Sequence, residues 1–443
     1  MSGTAPWILI CIAAYVWLAW LLRRDRFSLG LPLAYLTGLL LIHVPGAAVP
    51  LFTDMFDFNA GVVEIGIRLA AIASLCFVAG VLVARLFNRK KLANVYVYVE
   101  RREFWYFCLI GGLIVSFGLK FLGDMPSLRS AIDRGSALWM LGAMLGLRWA
   151  LSRVNVKATV TWSLATMVYP VLVLLLGGFM SYGSAAVINV ASALVVSARS
   201  ALKLVAVGTL LVYLGLTVFV NYFEHRTEYR DVAWSSAGFG SRVDAAIDMF
   251  SGFHWFDPYD DQQLNALDKR LNQNYFVGMA ALRLQQEQVS YLYGRSISDG
   301  VLALVPRALW PDKPVYGGSG RIVADMTGLD LNEETSWGVG NVMEFDINFG
   351  TPGVAIGFLI LGFLLGWLDY KAAYAEARGD IGKLLLFFLV GVALIQPGGS
   401  IVEITGGAAA AAVAAFAWRW IWEFWLRRNR QVSAPARQSA AWR

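Results

Sequence analysis

Charge is what this sequence has least of. Of its 443 residues only 15% are Asp, Glu, Lys or Arg, while 58% are hydrophobic. That balance excludes an ordinary soluble globular chain, in which about a quarter of residues are charged. Cysteine is equally scarce: Cys11, Cys76 and Cys108 each sit inside an apolar run, which excludes a disulfide framework or a cysteine zinc site and leaves them as small packing residues. The chain holds no dense cluster of histidines or carboxylates of the kind a divalent cation requires, so no metal and no cofactor is expected. It has no internal repeat and no pair of broken spans such as secondary transporters use. A cleavable leader is not expected either, because the first apolar run lacks a basic start and is followed by Arg23, Arg24 and Arg26. What the sequence has in abundance is aromatic residues, 17 Trp, 17 Tyr and 26 Phe, the material of interfacial belts.

These features predict an all-α polytopic membrane protein. Runs long enough to cross a bilayer, about 16–22 apolar residues each, fall near 6–22, 29–44, 62–87, 104–121, 136–151, 159–178, 185–198, 204–222, 352–368, 381–395 and 408–426, eleven in all. Arg23, Arg24 and Arg26 after the first span, Arg85, Arg89, Lys90, Lys91, Arg101 and Arg102 after the third, and Arg427, Arg428 and Arg430 after the last assign those ends to the cytoplasm. The loops at 45–61, 179–184 and 396–407 contain no Lys or Arg. Alternation from an outside N-terminus puts all three outside without conflict.

The expected organisation is therefore eight spans over 1–222, one large extracytoplasmic segment of short helices over 223–351, three spans over 352–430 and a cytoplasmic tail over 431–443. The large segment holds ten Lys/Arg against eighteen Asp/Glu, in a chain whose net charge is +6. The basic excess thus follows membrane topology rather than a nucleic-acid partner, and none is expected. Gly353 with Gly357, and Gly362 with Gly366, are four apart on the ninth span and predict close approach of a neighbouring helix.

The residues able to carry chemistry gather in 290–350. Here stand Tyr291-Leu-Tyr-Gly-Arg295, Pro306-Arg307-Ala-Leu-Trp310-Pro311-Asp312-Lys313-Pro314, Gly317-Gly-Ser-Gly-Arg321 and Asn341-Val-Met-Glu344-Phe-Asp346-Ile-Asn348-Phe-Gly350. Three prolines in nine residues forbid a regular helix and stiffen the segment that carries Arg307 and Lys313. The glycines before Arg321 permit close backbone approach to an anion. Two readings fit: a clamp for phosphate or pyrophosphate built from Arg307, Lys313 and Arg321, or a loop seated on the membrane surface whose cations meet lipid phosphates and nearby acids.

The order tyrosine-x-x-glycine, then proline-arginine-x-x-tryptophan-proline-x-lysine-proline, then glutamate followed four residues later by asparagine-phenylalanine-glycine resembles the Wzy-type polymerases of O-antigen and exopolysaccharide repeat units. The resemblance covers about 290–366 closely and 124–245 weakly. It implies a GT-C-like membrane glycosyltransferase of the bacterial inner membrane, with its site on the periplasmic side. Donor and acceptor would both be undecaprenyl-pyrophosphate-linked glycans, with membrane lipids and a chain-length regulator as further partners. The pyrophosphate is already a good leaving group, so the resemblance implies neither metal nor nucleotide sugar.

Such a transfer needs a base for the acceptor hydroxyl. Glu344 is the first candidate because it lies inside the matching motif. His254, in Phe253-His-Trp-Phe-Asp257, is the second, its aromatic neighbours suggesting a sugar platform. Arg129 and Arg134, in the expected outer loop after the fourth span, and Arg230 and Arg242, after the eighth, are outside cations that run against the orientation bias. Pyrophosphate binding is one reason for them and pairing with Asp133, Glu228 or Asp231 is another. Glu403, between two glycine pairs, either lines the same cavity or faces water. Asp54 and Asp57 resemble the acidic pair of polyprenyl-phosphate-sugar transferases only weakly, since they are three apart rather than adjacent. Other functions compatible with the sequence are an O-antigen ligase and, in a different class, a flippase or transporter.

Overall fold

The structure, a computed structural model, describes residues 3–25, 27–52, 59–88, 102–118, 126–177, 180–198, 200–235, 238–250, 252–305, 310, 312, 319–330 and 338–433. Among these residues it is helical throughout, with no strand. The elements are α1 (Ala5–Arg24), α2 (Leu31–Ala48), α3 (Ala60–Asn88), α4 (Arg102–Leu113), α5 (Pro126–Ser152), α6 (Val156–Gly177), α7 (Met180–Ser197), α8 (Ala201–Trp234), α9 (Phe239–Met249), α10 (Asp261–Arg270), α11 (Asn274–Gln285), α12 (Arg295–Ala303), α13 (Ser319–Thr327), α14 (Asn341–Arg378), α15 (Ile381–Ala393) and α16 (Ile401–Ser433). Seven stretches are long and apolar enough to cross a membrane: Ala5–Arg24, Leu31–Leu51, Ala60–Asn88, Val156–Leu176, Ala206–Trp234, Asn341–Arg378 and Ile401–Arg428. The chain is an all-α membrane protein. The other four expected spans fall on α4, which widens into a π turn over Ile114–Gly118, on Ala137–Ser152 within α5, on Gly183–Ser197 within α7 and on α15.

Lipid offers no hydrophobic drive between helices, so association rests on close packing. The centre of the bundle follows that rule. A Cβ on Gly80 of α3 would overlap the Leu359 carbonyl of α14, and one on Gly362 would overlap the Phe77 carbonyl of α3. The two backbones touch where the glycines stand. Gly353 and Gly357 act differently from the expectation: they accommodate Phe345, which lies before a break in their own helix. That break is at Phe349 and Gly350, where Gly350 takes φ 65°. Pro352 follows it, a residue whose ring clashes with the carbonyl four positions back and which donates no hydrogen bond.

At one end of the bundle a charged network joins the α1–α2 turn to α3 and α14. Asp369 Oδ1 accepts the N–H groups of Leu29 (2.9 Å) and Leu31 (3.1 Å), and its Oδ2 accepts Ser28 Oγ–H at 2.7 Å and Arg85 Nη2. Arg85 Nη1 also bridges to Asp25 at 2.9 Å. Asp369 thereby satisfies the opening turn of α2, whose first N–H groups have no partner within the helix.

At the other end, α10 and α11 are wedged into the bundle. Gln273 N–H donates to Ile42 O (2.9 Å) and Gly46 N–H to Leu271 O (3.1 Å). A Cβ on Gly66 of α3 would overlap the Asn274 backbone, and one on Gly278 of α11 would overlap Val62. Phe276, Val277, Ala280 and Leu284 belong to the same apolar core as the spans. His43 is buried there. Asn274 Nδ2 donates to both His43 O (2.7 Å) and Asn272 Oδ1 (2.9 Å), so its Oδ1 must accept, and His43 Nδ1, at 2.7 Å, carries the proton.

Candidate functional site

The two halves of the tyrosine-glycine and asparagine-phenylalanine-glycine motif form one junction. Asn348 Oδ1 accepts the Gly294 N–H (2.9 Å), while its Nδ2 donates to Ser296 Oγ (2.8 Å) and to Glu344 O (2.7 Å). Leu292 N–H donates to Ile347 O at 2.9 Å. Gly294 opens α12 with φ 87°, a conformation that favours glycine, and the Phe349 ring lies where its Cβ would be. The motif therefore sets the direction of α12 against the start of α14. Thr405 Oγ1–H, donating to Gly300 O at 2.7 Å, then holds α12 against α16.

Glu344 lies where these three helices meet. It is fully buried. Its Oε2 accepts the Ile401 N–H, the first of α16, at 2.7 Å, a favourable placement for a carboxylate. Its Oε1 has no hydrogen-bond partner among the described residues. Ser296, whose Oγ accepts from Asn348, has its hydroxyl proton available for the Glu344 carboxylate, and the charged groups acting on Glu344, Glu403 and Asp299, are themselves carboxylates. Glu403 caps α16, accepting Ser400 N–H (3.3 Å) and receiving Ser319 Oγ–H of α13 (2.8 Å). A buried carboxylate oxygen without a donor is an open hydrogen-bond position, and leaving it empty is costly.

A second cluster is cationic. Arg226 of α8 and Arg270 of α10 both lie over the Phe223 ring, at 4.4 and 5.8 Å from its centroid. Arg230 donates to Tyr222 OH at 3.1 Å and lies over Trp234. Burial, and after it the charges of Arg226 and Arg230, push the Arg270 guanidinium down to about 10. Arg242, on α9, donates to Ser235 O at 3.2 Å. The chain from Arg270 leads within three residues to Gln273, whose Nε2 donates to Gly338 O (2.9 Å) three residues before α14. The segment that carries Arg270 is thus tied, through Gln273, to the loop that leads into α14 and Glu344.

The remaining candidates are dispersed. His254 is exposed, its main chain tied to α8 by a reciprocal pair: Asn221 Nδ2 donates to His254 O (2.8 Å) and His254 N–H to Asn221 Oδ1 (3.0 Å). Trp255 stacks on Tyr213 at 6.0 Å, so the aromatic segment lies along a candidate span. Arg321 is 80% exposed on α13, 3.9 Å from Asp325 of the same helix. Arg129 and Arg134 fall in the opening turns of α5 rather than in a loop, with Pro126 at its first position; their side chains lie outside the described residues. Arg307, Lys313, Asp54 and Asp57 also lie outside the described residues. Sequence reasoning did not identify Arg270, Gln273, Ser296 or Asp299. No local motif marks them, and each enters through packing between elements distant in sequence.

Neither a protein-family profile, nor a curated protein, nor a solved structure matches this chain.

Proposed function

We propose that this chain is a membrane glycosyltransferase that polymerises undecaprenyl-pyrophosphate-linked oligosaccharide repeat units, with eleven spans in a GT-C-like arrangement and its site on the periplasmic side of the inner membrane. The observation that carries the reading is the open oxygen of Glu344, buried beside the family-like motif on a helix whose leading loop is tied through Gln273 to the segment that carries Arg270. In the transfer, an acceptor hydroxyl attacks the anomeric carbon of the growing glycan and its proton passes to Glu344 Oε1. The bond to the pyrophosphate breaks, and the leaving group's charge is met by Arg226, Arg230 and Arg270, with Arg307 and Lys313 as further donors. Because α12 lies over Glu344, the acceptor reaches Oε1 when the Thr405–Gly300 contact that holds α12 against α16 gives way.

The test is the pool of lipid-linked glycans in a deletion strain. Single repeat units on the lipid carrier are the expected result. Long unattached polymer would identify a ligase, and units trapped in the cytoplasm a flippase. Cysteine labelling at position 260 from the periplasmic side checks the orientation, and labelling from the cytoplasm would overturn it.

A further inference from the structure

Gln273 carries a second open oxygen. Gln273 Oε1 is buried and has no hydrogen-bond partner among the described residues. Its orientation follows from its neighbours: Nε2 donates to Gly338 O at 2.9 Å, and the reverse orientation would set two oxygens against each other. Both open acceptors border the turn between α15 and α16. Gln273 Oε1 is 4.0 Å from the Cβ position of Gly398, and Glu344 Oε2 holds Ile401 N–H three residues on. Between them, Asn341 binds the turn twice, its N–H to Pro397 O and its Nδ2 to Gly399 O, both at 2.9 Å. Three glycines keep this wall closely packed. A Cβ on Gly338 would overlap Gly398 O, one on Gly340 would overlap the Gln273 amide, and one on Gly399 would crowd Glu403 at 3.1 Å.

Among the described residues the lining offers more acceptors than donors, with the Ser296 hydroxyl as a donor beside Glu344. Glu344 and Gln273 contribute open oxygens, and Glu403 and Asp299 add negative field to Glu344. We infer that Gln273 and Glu344 form a subsite that selects a neutral or amino-bearing sugar at the acceptor end and rejects one carrying a carboxylate or phosphate. This rests on the glycosyltransferase reading and adds to it a substrate class and a residue, Gln273. The physical reason is that open buried acceptors gain from each hydroxyl or ammonium donor they meet. An anionic sugar would bring a like charge among three carboxylates.

The experiment uses the full chain in lipid nanodiscs at pH 7, with saturation-transfer NMR on three probes: methyl glucoside, methyl glucosaminide with its amine free, and methyl glucuronide. The expected order has glucosaminide and glucoside binding at least about tenfold more tightly than glucuronide, the scale of one unmatched charged contact. Gln273→Met, which keeps length and loses both polar atoms, weakens glucoside. Gln273→Glu loses the donor to Gly338 but keeps an acceptor, so it retains glucoside and rejects glucuronide further. Equal loss of glucoside in both variants would make Gln273 a brace for the 338–341 loop and overturn its part. If Gln273→Met does not fold, the probe order on the unsubstituted protein decides. Glucuronide binding as well as glucoside overturns the subsite while the transferase reading stands. No binding by any of the three also overturns the subsite, and the lipid-linked glycans of the deletion strain then decide the transferase reading separately.

Discussion

Asp369 and Glu344 are both fully buried carboxylates on α14, and the contrast between them separates a structural charge from a functional one. Asp369 accepts from Ser28, Leu29, Leu31 and Arg85, so both its oxygens are engaged. Glu344 accepts one backbone N–H and leaves Oε1 open. A saturated buried carboxylate holds elements together, because removing any partner strands the rest. An unsaturated one is retained at a cost to stability, as groups poised for a ligand commonly are.

The largest expected effects break this contrast at its structural end. Arg85→Ala leaves Asp369 and Asp25 without their shared cation, a change of about 3–5 kcal/mol when a buried pair is broken. It should appear as loss of folded protein in detergent, read by thermal unfolding. Glu344→Gln is expected to do the reverse. It should lower chain growth by about 10²–10⁴-fold, the range for a lost general base, with unfolding temperature unchanged or raised. A Glu344→Gln protein that unfolds like Arg85→Ala would make Glu344 a second structural carboxylate.

Much of this architecture is legible in the sequence. The apolar runs and the arginines that end them specify helices that cross a membrane, because bilayer thickness and charge cost leave few alternatives. Where the structure has a shorter helix, as at Ile381–Ala393, the apolar run over 381–395 includes turn residues that periodicity does not distinguish. Glu344 is legible through its motif, but the motif's physical meaning is not. Only the fold shows that Asn348 and Gly294 are partners across 54 residues of sequence. Arg270 and Gln273 are invisible for a related reason. They lie in a polar segment that reads as loop, and what makes them notable is the insertion of α10 and α11 into the bundle, which glycines 46, 66 and 278 permit.

A smaller effect sharpens the comparison at the cationic cluster. Arg270 is held down to about 10 by burial and by Arg226 and Arg230. Its folded value is below that of the unfolded chain, so the charge opposes folding at neutral pH. That penalty fades only as pH rises through about 10 toward the ordinary guanidinium range, the interval in which the unfolded state binds more protons. Arg270→Gln should therefore raise the unfolding temperature at pH 7 while slowing chain growth. Inorganic pyrophosphate should stabilise the unsubstituted protein more than the variant, as preferential binding to the folded state requires. A lower unfolding temperature in Arg270→Gln would assign the guanidinium to the fold instead.

The smallest effect on stability is expected at Arg321. Its side chain is 80% exposed and its nearest acid, Asp325, is 3.9 Å away on the same helix. Such pairs contribute about 0.3–0.5 kcal/mol because water screens them and two long side chains must be ordered. Arg321→Ala should thus leave thermal unfolding unchanged within error. That makes it a clean probe of the glycine-rich segment's role. A fall in chain growth without a change in unfolding temperature would mean that Arg321 meets the pyrophosphate, as the clamp reading of the sequence requires. Normal chain growth would leave Arg226, Arg230 and Arg270 as the cations to test for that role and would assign Arg321 to the solvated face of α13.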